Sequence, residues 1–290
     1  MKIVSLLPSA TEILAALGLV DQLEAVTHEC DYPASIAGKP VITRSRLEAG
    51  MKSGDIDQAV RSQLDADAHS LYTIDRTLLA EIAPDLIVTQ QLCEVCAVAY
   101  DEVLEAVAAL PHPPQVLNLE PMSLGDVLSD ILRVGEATAA MAQARRLVAS
   151  LEERIDSVRQ RAGKVASRPR VAFLEWIDPL FCGGHWNPEL VAMAGGTDPL
   201  GRLHQPSVRV EWEAVRDMQP DVMVISCCGF DTRRAREDLP ILEAQRGWHE
   251  LPCVRSGRVH VVDGTSYFSR PGPRLVDSLE LLAEYLHPDM

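Results

Sequence analysis

The stretch ATAAMAQARRLVASLEERIDSVRQR, Ala137 to Arg161, decides the reading of the whole chain. Ala137, Ala140, Met141, Ala144, Leu147, Val148, Leu151, Ile155, Val158 and Ala162 step in threes and fours, which places them on one stripe of a helix. Arg145, Arg146, Glu152, Glu153, Arg154, Asp156, Arg159 and Arg161 fall between them as a solvated face. No Gly or Pro interrupts the pattern before Gly163. At about 1.5 Å per residue the expected helix spans about 37 Å, the width of a small domain. A crossover helix inside one domain is the alternative. The segments on either side favour a divider between two similar halves.

Before the helix, short apolar strands are expected at 2–7, 23–27, 86–89 and 115–119. Helices are expected at 12–17, capped by Ser9 or Thr11, and at 56–64, 75–82 and 100–110, with an exposed strand near Val41. After it the same grammar returns, with strands at 170–174, 222–226 and 259–262 and helices at 189–193, 211–218 and 273–286. Alternation of strand and helix implies parallel βαβ units. Two local matches recur in the same order. Glu12-Ile-Leu-Ala-Ala-Leu-Gly18 parallels Glu189-Leu-Val-Ala-Met-Ala-Gly195, and Ala83-Pro-Asp-Leu-Ile-Val88 parallels Gln219-Pro-Asp-Val-Met-Val224. The expected fold is α/β, two Rossmann-like lobes with parallel sheets joined by one long helix. The lobes are 1–120 and 168–290, with a helical linker over 121–167.

A chain of 290 residues with 47% apolar and 24% charged residues builds cores of domain size. Its net charge of −15 disfavours nucleic acid and anionic membranes as partners. No apolar run approaches the ~20 residues of a membrane span. The N-terminal apolar run is too short for a signal-peptide core, so a cytoplasmic location is expected if Met1 is the true start, and a periplasmic one if it is not. Seven cysteines, an odd number, fit a reducing compartment better than a disulfide framework.

Ligands of parallel α/β sheets sit beyond the carboxyl ends of the strands. The segments there hold Pro8; His28, Cys30 and Tyr32; Gln90, Cys93 and Cys96; Trp176, Phe181, His185 and Trp186; Cys227, Cys228 and Phe230; and Tyr267, Phe268 and Arg270. Aromatics are 4% of the chain yet concentrate here, which suggests a partly apolar site stacking on a large flat ligand. Closure of the core ends is the plainer reading for any one of them. Cys93-Glu-Val-Cys96 has the spacing of a thiolate pair, and a metal site or iron–sulfur cluster would need Cys30 or His28 as well. Buried thiols at a helix start are the alternative. His185 follows two glycines, where backbone can approach a ligand closely. No G-x-S-x-G, H-E-x-x-H, Walker loop or G-x-G-x-x-G is present, so an enzyme is not expected.

Ser5-Leu-Leu-Pro-Ser-Ala-Thr-Glu-Ile13, Cys30-Asp-Tyr-Pro33, Pro84-Asp-Leu-Ile-Val88, Glu189 to Gly196, Pro220-Asp221 and Pro271-Gly-Pro-Arg274 together resemble the iron-chelate and cobalamin periplasmic-binding family, the helical-backbone (class III) substrate receptors of ABC importers. His28 to Pro33, Leu92 to Cys96, Gly184-His-Trp186 and Tyr267 to Arg274 look like its cobalamin-binding branch. The resemblance implies a cobalamin, another corrinoid or a related metal chelate held in a cleft between lobes. It matches ring contacts to Phe181, Tyr267 and Phe268 and a basic contact to Arg270, with Tyr32 and Tyr72 near other contact positions. Gln90 falls where a cobalamin receptor can carry an aromatic. It also implies docking on an ABC-transporter permease through one acidic residue per lobe. Glu213 fits that place in the second lobe, and Thr77 stands at the equivalent place in the first. The expected protein is a monomer that binds a small-molecule chelate and does not insert into a membrane. The competing reading is a thiolate-ligated metal or iron–sulfur protein using Cys30, Cys93 and Cys96.

Overall fold

The computed structural model describes residues 1–47, 50–65, 71–90 and 100–289. The chain divides into two compact units. One comprises Met1–Met51, Asp55–Pro121 and Asp126–Ala149; the other comprises Lys52–Gly54, Met122–Gly125 and Ser150–Met290.

The first unit is built on β1 (Ile3–Ser5), β2 (Leu23–Ala25), β3 (Thr43–Ser45), β4 (Tyr72–Ile74), β5 (Leu86–Thr89) and β6 (Gln115–Asn118). Its main sheet runs β2-β1-β5-β6 and is parallel throughout. Strands buried on both faces read as continuous apolar runs, as Leu86–Thr89 does. The pattern indicated a single strand near Val41. Val41 instead makes an isolated bridge to Val26, and β3 pairs antiparallel with β4. The first helix begins at Pro8, one turn earlier than expected, and has no side-chain cap. Pro suits that position because its missing N–H would have had no helical partner. Thr11 is buried and gives its hydroxyl to Ser5 Oγ (2.8 Å).

The second unit holds β7 (Val171–Trp176), β8 (Phe181–Cys182), β9 (Val222–Ile225) and β10 (Val259–Val261), in the order β10-β9-β7-β8. Read from the other edge this is the order of the first unit, with β8 in the place of β2. β8 is antiparallel because a short turn, not a helix, joins it to β7. The pattern did not separate this two-residue strand from the loop around it.

The internal repeat has a physical basis. Both Glu-to-Gly segments end their helices on a left-handed glycine, Gly18 (φ 77°) and Gly195 (φ 87°). Both Pro-Asp segments follow a helix that ends on a left-handed residue, Ala83 (φ 46°) and Gln219 (φ 50°).

The long helix is shorter than its pattern implied. One helix covers Leu124–Ala137 and a second Met141–Ala162. Thr138 turns its hydroxyl back to Val134 O (2.7 Å), Ala139 adopts φ 55°, and Ala140 N closes the first helix on Gly135 O (2.7 Å). Beyond the break the stripe is as read, with Ala144, Val148, Leu151, Ile155, Val158 and Ala162 all buried. The boundary between the two units falls inside this second helix.

Candidate functional site

In the second unit, β7, β9 and β10 end on the side where β8 begins. Trp176 and Phe181 are register partners across the β7–β8 pair, where the register is irregular between Leu174 and Trp176. Phe181 makes a further antiparallel bridge to Arg209. The segment 202–210 is held there by backbone bonds along its length: Val210 N to Leu180 O (3.0 Å), Cys182 N to Val208 O (3.0 Å), His185 N to Gln205 O (2.7 Å) and Arg202 N to Gly183 O (2.8 Å). The Trp176 ring lies 4.8 Å from that of Phe230, and Trp176 Nε1 donates to Asp178 O (2.9 Å). Trp176 and Phe181 are half-buried.

Beneath this surface lies Glu175. Its carboxylate accepts from Gly184 N (2.7 Å) and Asn187 Nδ2 (2.8 Å) and bonds Ser207. Burial nevertheless pushes its carboxyl above the ordinary range. Asp198 accepts from Leu200 N and Gly201 N, and burial, reinforced by the charge of Glu175, pushes it up to about 7. Glu175 ties the loop that carries His185 to the segment that carries Arg209, and Asp198 holds its own turn. Neither stood out in the sequence, where acidic residues are abundant and their burial leaves no mark.

The glycines before His185 serve a different purpose from the one expected. A Cβ on Gly184 would run into the backbone of Ser207, so the open side of this glycine is filled by the chain itself. His185 sits at φ 51°, and burial holds its imidazole below the ordinary range. Trp186, Phe268 and Arg270 lie in the packed interior and not on a loop surface. Trp186 Nε1 donates to Phe268 O (2.8 Å), and the Phe268 ring meets Phe173 edge-on at 5.2 Å. Tyr267 is half-buried on the segment after β10. Cys182 lies in β8. It, Cys227 and Cys253 are buried, the latter two thiols pushed up to about 12 and about 11, while Cys228 is exposed.

In the first unit, Pro8 is half-buried at its helix start and Gln90 is buried just after β5. His28 and Tyr72 come together. His28 Nδ1 lies 2.7 Å from Thr43 Oγ1, and its ring is 5.1 Å from that of Tyr72. Cys30 Sγ lies 3.1 Å from Thr11 Oγ1 and 3.2 Å from Thr27 Oγ1, a hydroxyl setting. Tyr32 is exposed. Cys93 and Cys96 lie outside the described residues. Among the described residues no three His, Cys, Asp or Glu side chains gather as a metal set. Glu213 is exposed in the first turn of the helix Trp212–Met218, and Thr77 is exposed in the corresponding helix Arg76–Ile82.

A profile of the periplasmic binding protein family matches residues 3–265. The chain belongs to the periplasmic binding protein family. This binding protein is 26% identical to the uncharacterized ABC transporter substrate-binding lipoprotein YvrC of Bacillus subtilis over 299 residues, covering 99% of this chain and 80% of that protein. It is 25% identical over 228 residues to a vitamin B12-binding protein of Yersinia pestis, covering 78% and 69%. Among solved structures, a possible iron-binding periplasmic protein of Staphylococcus epidermidis superposes with a TM-score of 0.75 at 20% identity, covering 99% and 98% of the two chains. The periplasmic vitamin B12-binding protein BtuF of Vibrio cholerae superposes at 0.71 with 21% identity, covering 99% and 96%. The expected two-lobed α/β fold is therefore present, and the binding protein is a solute receptor and not an enzyme. The expectation of a cytoplasmic location is corrected: this is a family of periplasmic proteins, and one of its relatives is a lipoprotein. Export is directed by an N-terminal segment that is no part of the folded core, so the residues that build the fold do not report destination. No helix among the described residues is long and apolar enough to cross a membrane.

Proposed function

We propose that this receptor captures a flat metal chelate of the cobalamin or corrinoid class for an ABC importer. The observation that carries the reading is the half-buried Trp176–Phe181 pair at the carboxyl end of the second sheet, backed by Phe230. Half-buried aromatic rings at a strand end suit a broad, partly apolar ligand surface. Tyr267, on the segment after β10 of the same unit, supplies a further aromatic edge. The vitamin B12-binding relative supports a corrinoid. Haem-binding proteins that share the fold make haem the natural comparison ligand. Glu213 is assigned to permease docking.

Titration of purified protein with cobalamin, followed by absorbance and calorimetry, tests the reading. Saturable binding at or below micromolar ligand is expected. Absence of binding at tens of micromolar, with haem bound instead, would reject the corrinoid in favour of a porphyrin.

A further inference from the structure

A short segment from outside the second sheet reaches the edge of its aromatic surface. Lys52–Gly54 belongs to the second unit, although the residues on either side of it belong to the first. The indole N–H of Trp176, given to Asp178 O (2.9 Å), is shared with Ser53 O (3.3 Å). Gly54 lies against the same loop: a Cβ there would stand 2.8 Å from Asp178 Oδ2. Ser53 opens the helix Ser53–Asp65 and is 1% exposed, yet its Oγ finds no hydrogen-bond partner among the described residues. A buried hydroxyl left unpaired opposes the docking of its own segment, and a solute that pairs with it favours the docked state. Charge selects the kind of group. Asp178 is exposed with its carboxylate beside the helix start, where it offsets the positive helix end, and Asp55 stands in the first turn. Lys52 supplies one cation against these two acids, in a chain that carries −15. A carboxylate or phosphate brought to Ser53 meets this negative charge. A neutral amide does not, and it can both donate to and accept from a hydroxyl.

We infer that Ser53 is a specificity-determining contact: its hydroxyl bonds a neutral amide on the rim of the bound chelate, and Lys52–Gly54 is the latch that closes on the solute to make that bond. This rests on the reading of Trp176 as part of the ligand surface and adds the rim chemistry of the ligand to it.

The experiment uses the purified full chain and two probes. Dicyanocobinamide has an amide rim and no phosphodiester; haem has two carboxylates on its rim. The wild type should bind dicyanocobinamide more tightly than haem. Ser53→Ala should weaken dicyanocobinamide about three- to tenfold, the scale of one hydrogen bond. The unliganded variant should melt no lower than wild type, because no bond is lost from the free protein. Ser62→Ala, which removes an exposed hydroxyl of the same helix bonded to Gln58 O (2.9 Å), should leave affinity unchanged. Amide exchange over residues 52–55 should slow when dicyanocobinamide binds. Undiminished affinity in Ser53→Ala, an equal loss in Ser62→Ala, a lower melting temperature of unliganded Ser53→Ala, or exchange that the probe does not slow overturns the inference and leaves the proposed function intact. Haem bound in preference to dicyanocobinamide overturns the amide contact and the corrinoid together. Failure to bind either probe rejects the proposed function and this inference with it.

Discussion

Asp221 holds Arg170 at the entrance of the second sheet. Its carboxylate accepts from Arg170 N (2.8 Å) and Nε (3.3 Å), and Arg170 Nη1 reaches on to Met218 O (3.0 Å). Asp85 and Lys2 do the same in the first sheet: Lys2 N donates to Asp85 Oδ2 (2.7 Å) and Lys2 Nζ to Ile82 O (2.9 Å). In both units one basic residue begins the first strand, ties down the end of a helix and pairs with the aspartate of a Pro-Asp turn. Burial alone would raise the Asp221 carboxyl, but the Arg170 bonds outweigh it and hold the group below its ordinary range. That contribution to stability is present above the ordinary aspartate range and is lost as pH falls through the depressed folded value. Asp221→Ala should cost about 1 kcal/mol at pH 7, modest because the pair is partly exposed, and chemical denaturation should show the difference vanishing in strong acid.

Asp198 predicts the opposite slope. Its folded pKa of about 7 lies above the ordinary 3.8, so its contribution is complete in acid and lost as pH rises through about 7. Asp198→Asn removes the buried charge and keeps an oxygen to accept from Leu200 N and Gly201 N. Relative to wild type, the variant should gain about 1–3 kcal/mol between pH 5 and pH 8. Thermal unfolding at the two pH values measures this. A difference independent of pH would show that Asp198 stays ionised throughout.

Gly135 and Ala144 let two successive helices meet. A Cβ on Gly135 would overlap that of Ala144, with no flexible atom to move aside. Gly135→Ala should therefore destabilise the protein by about 1–3 kcal/mol despite better helix propensity. Denaturant unfolding of Gly135→Ala, and of Gly125→Ala as a control whose Cβ meets only Ser123 Oγ at 3.7 Å, separates crowding from propensity.

Loss of a stacking face should weaken the ligand more than the fold. Trp176→Ala and Phe181→Ala should each reduce cobalamin affinity at least tenfold, since each removes a half-buried ring worth more than about 1.4 kcal/mol of contact. Trp186→Ala should instead lower the melting temperature, because that indole is buried and bonded to Phe268 O. Calorimetry and melting curves on the same three variants distinguish the two outcomes.

Glu213→Gln should leave cobalamin affinity unchanged and reduce ligand uptake by cells carrying the cognate importer. Unchanged uptake would remove Glu213 from permease docking.

Much of the fold was legible in the sequence because it is local chemistry. The threes and fours of Ala144 to Ala162 mark a buried helix face, and the Pro-Asp turns announce the strands at Leu86 and Val222. The repeat of both in one order revealed two units. Tertiary structure decided the rest. Ala139 breaks the long helix although alanine favours helices, and across the break Gly135 packs against Ala144. Trp186 and Phe268 are interior and Trp176 and Phe181 half-buried, although all four are aromatics at or beside strand ends. Arg209 joins Phe181 only because a segment 28 positions later pairs with β8. A spacing of three or four residues states its own partner; a contact between distant segments depends on how the whole sheet closes, and no short stretch of sequence records that.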